Sequence, residues 1–349
     1  MYTALAAAAV IVVIAAVLNQ NGGGGHRRVV AAGRTTSTLV PAPGGVLTPV
    51  QVTTSLPSAT TTLKKAQVPP PPTTALRRTT TTQVQPCFRL DSRAIAFHAD
   101  GGIEAVNSDG SCRSALTTSA GDTMPNWAPA RDRIVFSRRG AIWEAGVDGK
   151  SAHALTTGPV DLDPAFSRDG SRIAFSRDRS LWVMNADGTS AHLVSSEPGP
   201  TAPEDGAHPT WSPDGSKIAF DSSRGSTTGR KNIWVINADG TGLKNLTAGR
   251  PTSSFFPAWS PDGSKIAFDA AATGRATIAV WNMNADGSGG IQLTDNPQAD
   301  QDPAWSPDNS AIAFASFRDM NWELYVMKPD GSEQKRLTND AGMELRPAW

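Results

Sequence analysis

Four acidic residues each stand three positions ahead of a proline: Asp122 before Pro125, Asp161 before Pro164, Asp300 before Pro303 and Glu344 before Pro347. Brought together by a symmetric fold, such carboxylates would offer the converging oxygens that hold a hard cation such as Ca²⁺. The alternative for each is local, a carboxylate accepting backbone N–H groups of its own turn. No EF-hand-type loop is present. The two cysteines, Cys87 and Cys112, are too few for a disulfide scaffold or a four-cysteine zinc site. The five histidines include no HExxH and no pair at i, i+4. Gly-x-Ser-x-Gly, Walker A and dinucleotide fingerprints are also missing. The expectation is therefore no enzyme and no cofactor, with Ca²⁺ at the four acidic positions as the one candidate ion.

The 349 residues balance 32 Lys+Arg against 32 Asp+Glu. All seven basic side chains of residues 19–85 lie there without an acid, which leaves 86–349 with a net charge of −7. A mildly acidic domain is a poor match for a phosphate backbone, so no nucleic-acid partner is expected. Frequent Gly (32) and Pro (26) suit short strands and tight turns better than a helical bundle.

A motif recurs six times: PCFRLDSRAIAF from Pro86, PNWAPARDRIVF from Pro125, PAFSRDGSRIAF from Pro164, PTWSPDGSKIAF from Pro209, PAWSPDGSKIAF from Pro257 and PAWSPDNSAIAF from Pro303. Each is followed by a second run of the type IWVINADG (Ile233–Gly240) and by a closing Leu-Thr or its equivalent, Val194-Ser195 in the third unit. The aromatic anchors Phe88, Trp127, Phe166, Trp211, Trp259, Trp305 and Trp349 are 39 to 48 residues apart. Each unit reads as four strands, A to D, with Asp-Gly turns at A–B and C–D. The apolar runs are too short for helices and rich in β-branched and aromatic residues. A four-strand unit at this period predicts an all-β, six-bladed propeller over 86–349, with blades starting near 86, 125, 164, 209, 257 and 303. Residues 347–349 are either a ring-closing strand or a truncated extra repeat.

PAWSPDGSKIAF, followed by IWVINADG and a closing LT, resembles the TolB-type propeller repeat, a relative of the WD repeat without its Gly-His and Trp-Asp signatures. The resemblance spans 86–349. It implies a six-bladed, extracytoplasmic, non-catalytic binding platform. The family's best-known member carries an N-terminal α/β domain that this chain replaces with an apolar segment and a Thr/Pro tract. The resemblance therefore transfers a fold and a binding role, and no particular partner.

In a propeller the B–C and D–A connections share one face. Counted between the motifs, the B–C connections are short in blades 1–3 and long in blades 4–6 (221–232, 269–279, 315–323), and the longest D–A connection is 196–208. Function on rigid scaffolds is carried by such loops, and Trp and Arg are enriched at binding hot spots. The expected contact residues are Arg224, Arg230, Lys231, Arg275, Arg318, Asp319 and Trp322, against the plain alternative of tolerated surface insertions. Trp127, Trp211, Trp259 and Trp305 share one repeat position and read as packing between blades. Strand-C Trp143, Trp182, Trp234 and Trp281 read as core, and the scattered histidines as surface residues.

Residues 1–20 read as a transmembrane anchor or signal segment. Met1–Leu18 carries no charge, and roughly 17–25 apolar residues cross a bilayer. A basic n-region and a clear A-x-A site are missing, and Arg27, Arg28 and Arg34 follow the segment, which leaves its orientation open. Residues 21–85 read as a disordered Thr/Pro-rich linker, a tract that buries too little apolar surface to fold. An exported Cys87–Cys112 pair would oxidise. Strands A and D of one blade stand three spacings of about 4.8 Å apart, beyond the roughly 7 Å a disulfide spans, unless a C-terminal strand A displaces Cys87. The function read from these features is a membrane-anchored extracytoplasmic platform binding a protein or a cell-envelope component. The alternatives are a sensor ectodomain whose effector lies upstream, and an accessory propeller of a peptidase.

Overall fold

The computed structural model describes residues 90–158, 160–196 and 207–349. The apolar segment, the linker and Cys87 lie outside the described residues. Among the described residues no helix is long and apolar enough to cross a membrane.

Six antiparallel four-stranded sheets form the blades. Blade 1 holds β1 (Ile95–Ala99), β2 (Gly102–Val106) and β3 (Ser114–Ala115). Blade 2 holds β4 (Asp122–Trp127), β5 (Arg133–Arg138), β6 (Ala141–Gly146) and β7 (His153–Ala154), and blade 3 holds β8 (Asp161–Phe166), β9 (Arg172–Arg177), β10 (Ser180–Asn185) and β11 (His192–Ser195). Blade 4 comprises β12 (Thr210–Trp211), β13 (Lys217–Ser222), β14 (Asn232–Asn237) and β15 (Lys244–Asn245). Blade 5 comprises β16 (Ser254–Trp259), β17 (Lys265–Ala271), β18 (Ile278–Asn284) and β19 (Ile291–Gln292). Blade 6 comprises β20 (Asp300–Trp305), β21 (Ile312–Ser316), β22 (Glu323–Met327) and β23 (Lys335–Arg336). The last strand, β24 (Leu345–Ala348), pairs with β1 and supplies the inner strand of blade 1, so the first and last parts of the repeat array share a sheet.

The second strand of each blade buries its whole Ile-Ala-Phe run (Ile-Val-Phe in blade 2) because both of its faces meet a neighbouring blade. The six phenylalanines Phe97, Phe136, Phe175, Phe220, Phe268 and Phe314 are each at most 2% exposed. The core accordingly divides into six clusters, each straddling two adjacent blades. Ile103 and Phe136 share one, Val135 and Phe175 the next, and Phe97 and Leu324 join blade 1 to blade 6. No blade buries its faces alone, as expected of a repeat array.

The repeated polar residues have equally local causes. In Ser-Pro-Asp-Gly-Ser the first serine closes the turn: Ser212 Oγ donates to Asp214 (2.6 Å) and accepts from the Lys217 amide (2.9 Å). The C–D glycines combine a left-handed φ with close approach. A Cβ at Gly331 (φ 86°) would lie 2.6 Å from the Leu293 carbonyl oxygen of the preceding blade. In most blades the outer strand is only two residues long and the closing Leu-Thr follows it. The Leu293 amide donates to the Val280 carbonyl (2.8 Å), and Thr294 Oγ accepts from the Val280 amide (3.1 Å). The same threonine bond recurs at Thr117, Thr156, Thr247 and Thr338. Thr294→Val leaves a buried N–H unpaired and is expected to cost about 1–3 kcal/mol in urea unfolding, whereas Thr294→Ser keeps the bond and most of the stability.

Candidate functional site

The residue before the proline of every inner strand is left-handed. Met124 (φ 55°), Asp163 (55°), His208 (37°), Phe256 (51°), Asp302 (59°) and Arg346 (56°) form one ring, one residue per blade. Proline removes the next ladder donor, and the ladder between inner and second strand slips at these residues, as between Thr123 and Asn126 or Gln301 and Ala304. Four of the ring amides turn to side chains of the preceding blade. Asp163 donates to Ser137 Oγ (3.1 Å), Phe256 to Asp221 Oδ2 (3.0 Å), Asp302 to Asp269 Oδ2 (2.9 Å) and Arg346 to Asp302 Oδ2 (3.3 Å). Asp tolerates this backbone, whereas Met, His, Phe and Arg do so at a cost of roughly 1–3 kcal/mol each.

The ring side chains interlock across the channel. Phe256 lies between the His208 imidazole (centroids 3.8 Å apart) and the Arg346 guanidinium (3.7 Å from the ring centroid). Arg346 Nη1 also binds Asp302 Oδ1 (2.9 Å). His208 Nδ1 contacts Asp221 Oδ2 (2.7 Å), and its Nε2 is 3.5 Å from Asp163 Oδ2. Lys231 Nζ reaches Asp221 Oδ1 (2.8 Å). Burial alone would raise the Asp221 carboxyl, but the adjacent His208 and Lys231 outweigh it and hold the group at about 2. Burial, then the charge of Asp302, pushes Asp269 well above the usual carboxylate range. On the side of the A–B turns, the ring floors a cavity of ≈ 410 Å³ walled by Trp127, Phe166, Trp211, Trp259, Trp305 and Trp349.

The four acidic positions have a different use. Asp122 binds Arg138 at 2.5 and 2.6 Å, Asp161 binds Arg177 at 2.7 and 2.9 Å, and Asp300 meets Arg318 at 3.3 Å. Glu344 binds Arg113 (3.1 Å). The same arginines cap the aromatic residues of their blades: Arg138 lies 4.7 Å from the Trp143 centroid, Arg177 4.9 Å from Trp182 and Arg318 4.3 Å from Tyr325. In blade 5, where Ser254 replaces the acid, Arg250 caps Trp281 at 4.0 Å. Each of the four expected ligands thus lies against an arginine. Among the described residues no three His, Cys, Asp or Glu side chains gather as a metal site requires. The strand-C tryptophans, expected in the core, are half-buried under these guanidinium groups.

The long connections are 223–231, 272–277 and 317–322, against 100–101, 139–140 and 178–179 in blades 1–3. Most of the expected contact residues tie the loops to the scaffold. Arg224 donates to Ser195 Oγ (2.7 Å), Arg230 to the Pro251 carbonyl (3.0 Å) and Arg275 to Asp295 (2.6 Å). Arg318 also reaches Gln334 (2.9 Å), Asp319 pairs with Arg336 (3.0 Å), and Trp322 packs on Phe317 with centroids 5.2 Å apart. Lys231 turns inward to the channel. His208, expected at the surface, is a ring member, and His98 is half-buried against the Asp122 carbonyl (2.9 Å). Cys112 is disulfide-bonded, and Cys87 lies outside the described residues. Sequence reading missed the ring because it weighed repeating positions. The signal was the opposite one, a position that takes five residue types in six blades (Met, Asp, His, Phe, Asp, Arg) directly before a proline that does not change.

Glu344 is fully buried. Burial, then its hydrogen bond with Asp340 and that group's charge, pushes its carboxyl up to about 8, against Arg113. A carboxyl raised on folding stabilises fully below its unfolded value near 4.5, and that contribution is lost as pH rises toward 8. Thermal unfolding of the wild type is expected to shift to lower temperature between pH 5 and 8. Glu344→Gln should flatten that part of the profile.

No protein-family model and no curated protein matches the chain. Solved structures do. TolB from Agrobacterium tumefaciens aligns with a TM-score of 0.60 at 20% identity, over 72% of this chain and 90% of that one. TolB from Acinetobacter baumannii aligns with a TM-score of 0.62 at 20% identity, over 74% of this chain and 66% of its own. A chain of a nidogen/laminin complex aligns with a TM-score of 0.59 at 12% identity, over 73% and 97%. At these identities the likeness is one of fold, and at that level it agrees with the TolB-type reading of the repeats: the described residues are a six-bladed propeller of the kind seen in the TolB structures.

Proposed function

We propose that this propeller is a non-catalytic binding module that takes a segment of a partner protein into its channel. Residues 1–20 would hold it at the membrane, with the propeller on the extracytoplasmic side. The observation that carries the reading is the ring: six left-handed residues of five different types floor a cavity walled by aromatic side chains. Backbone strain concentrated in one place is characteristic of ligand-contacting sites. A cavity of this size, with aromatic walls and polar and charged groups at its floor, fits a short peptide stretch or a comparable moiety of a cell-envelope component. One structural neighbour comes from a complex between two proteins, nidogen and laminin. No motif for nucleophilic catalysis is present in the sequence.

The asymmetric connections of blades 4–6 favour a second reading, in which the partner docks on the opposite face. Twelve-residue peptides selected by phage display on the full chain separate the two. Glycine accepts the left-handed backbone of Phe256 without strain, so Phe256→Gly opens the channel floor and keeps the fold. The channel reading predicts at least tenfold weaker peptide binding by Phe256→Gly, and unchanged binding when 272–277 is replaced by an Asn-Gly turn. The reverse pattern would assign binding to the long-loop face.

A further inference from the structure

We infer that Asp163 is the anchor for a cationic side chain, a lysine ammonium or an arginine guanidinium, carried by the segment that enters the channel. The inference rests on the channel reading above and adds the chemistry of the partner.

The Asp163 side chain is 6% exposed and lines the cavity, yet neither carboxylate oxygen accepts a hydrogen bond. The other acidic groups of the channel are accounted for. Asp221 carries Lys231 (2.8 Å) and His208 (2.7 Å), and Asp302 carries Arg346 (2.9 Å). Asp269 accepts the Asp302 amide (2.9 Å). Asp163 has only the His208 Nε2 at 3.5 Å, on an imidazole whose Nδ1 is already engaged by Asp221.

A buried carboxylate without donors is costly, and a ligand that brings donors recovers that cost on binding. The rest of the cavity selects the ligand class. An anion is excluded by the carboxylate itself. A divalent metal would need a gathering of ligating groups that the described residues do not form. Phe166, Trp127 and Trp211 line the same cavity as Asp163, a wall suited to the apolar stem of a long basic side chain.

The test uses the full chain and the peptides selected on it. Each lysine in a peptide is replaced by norleucine and each arginine by citrulline, and affinities are measured by calorimetry for the wild type and Asp163→Asn. Asparagine tolerates the left-handed backbone, and Asp163→Gly serves as the second variant if Asp163→Asn fails to fold. The expected result is one basic position whose replacement weakens binding to the wild type at least tenfold and to the variant less than threefold. Peptides that are sensitive to Phe256→Gly but show no such position would overturn the anchor and leave the channel reading standing, with water as the partner of Asp163. Peptides indifferent to Phe256→Gly would overturn the channel reading, and the anchor with it. Agmatine, tested alone, binding as tightly as the peptides through Asp163 would assign the site to a free amine and overturn the peptide anchor.

Discussion

All six inner strands enter the channel wall through a left-handed residue followed by a proline, at the same place in every blade. A proline removes one donor, and the left-handed residue before it carries the chain through the slip in register. In blades 3, 5 and 6 that residue's own amide is aimed at the neighbouring blade, where Ser137, Asp221 and Asp269 respectively receive it. One backbone device thus narrows the channel, ties adjacent blades together and presents six independently chosen side chains to the axis. In blade 6, Ala315 stands where blades 4 and 5 have Asp221 and Asp269. The Arg346 amide turns instead to the Asp302 carboxylate, so even the ring's departure from the pattern is locally satisfied.

Around that device the molecule is assembled from interfaces between blades more than from the blades themselves. Each core cluster draws on two sheets, and each C–D glycine rests on the closing carbonyl of the sheet before it. The joint between the first and last blades receives additional ties. There β24 joins β1, and Arg113 bridges Glu104, Asp340 and Glu344.

Positions whose cause is repeated were readable before any coordinates. The Ile-Ala-Phe run, the Asp-Gly turns, the inter-blade tryptophans and the closing Leu-Thr follow from local geometry that every blade solves alike. Positions whose partner comes from elsewhere in the chain were not. Asp161 looked like one of four convergent ligands because Arg177, sixteen residues later, gives no sign in the sequence that it folds back onto it. Lys231 looked like a rim residue because a lysine in a long loop ordinarily faces water, and only the buried Asp221 explains its inward turn. His208 shares no repeat position with the other described histidines, and this irregularity, taken as a mark of the surface, is what marks the ring.

The direct test of the central constraint is the stability of paired glycine and alanine variants at Met124 and Phe256. Both substitutions delete the side chain, so their difference reports the backbone alone. A left-handed ring predicts that glycine is the more stable of each pair by about 1 kcal/mol. Alanine more stable than glycine by about 0.5–1 kcal/mol, the ordinary order within a strand, would contradict it.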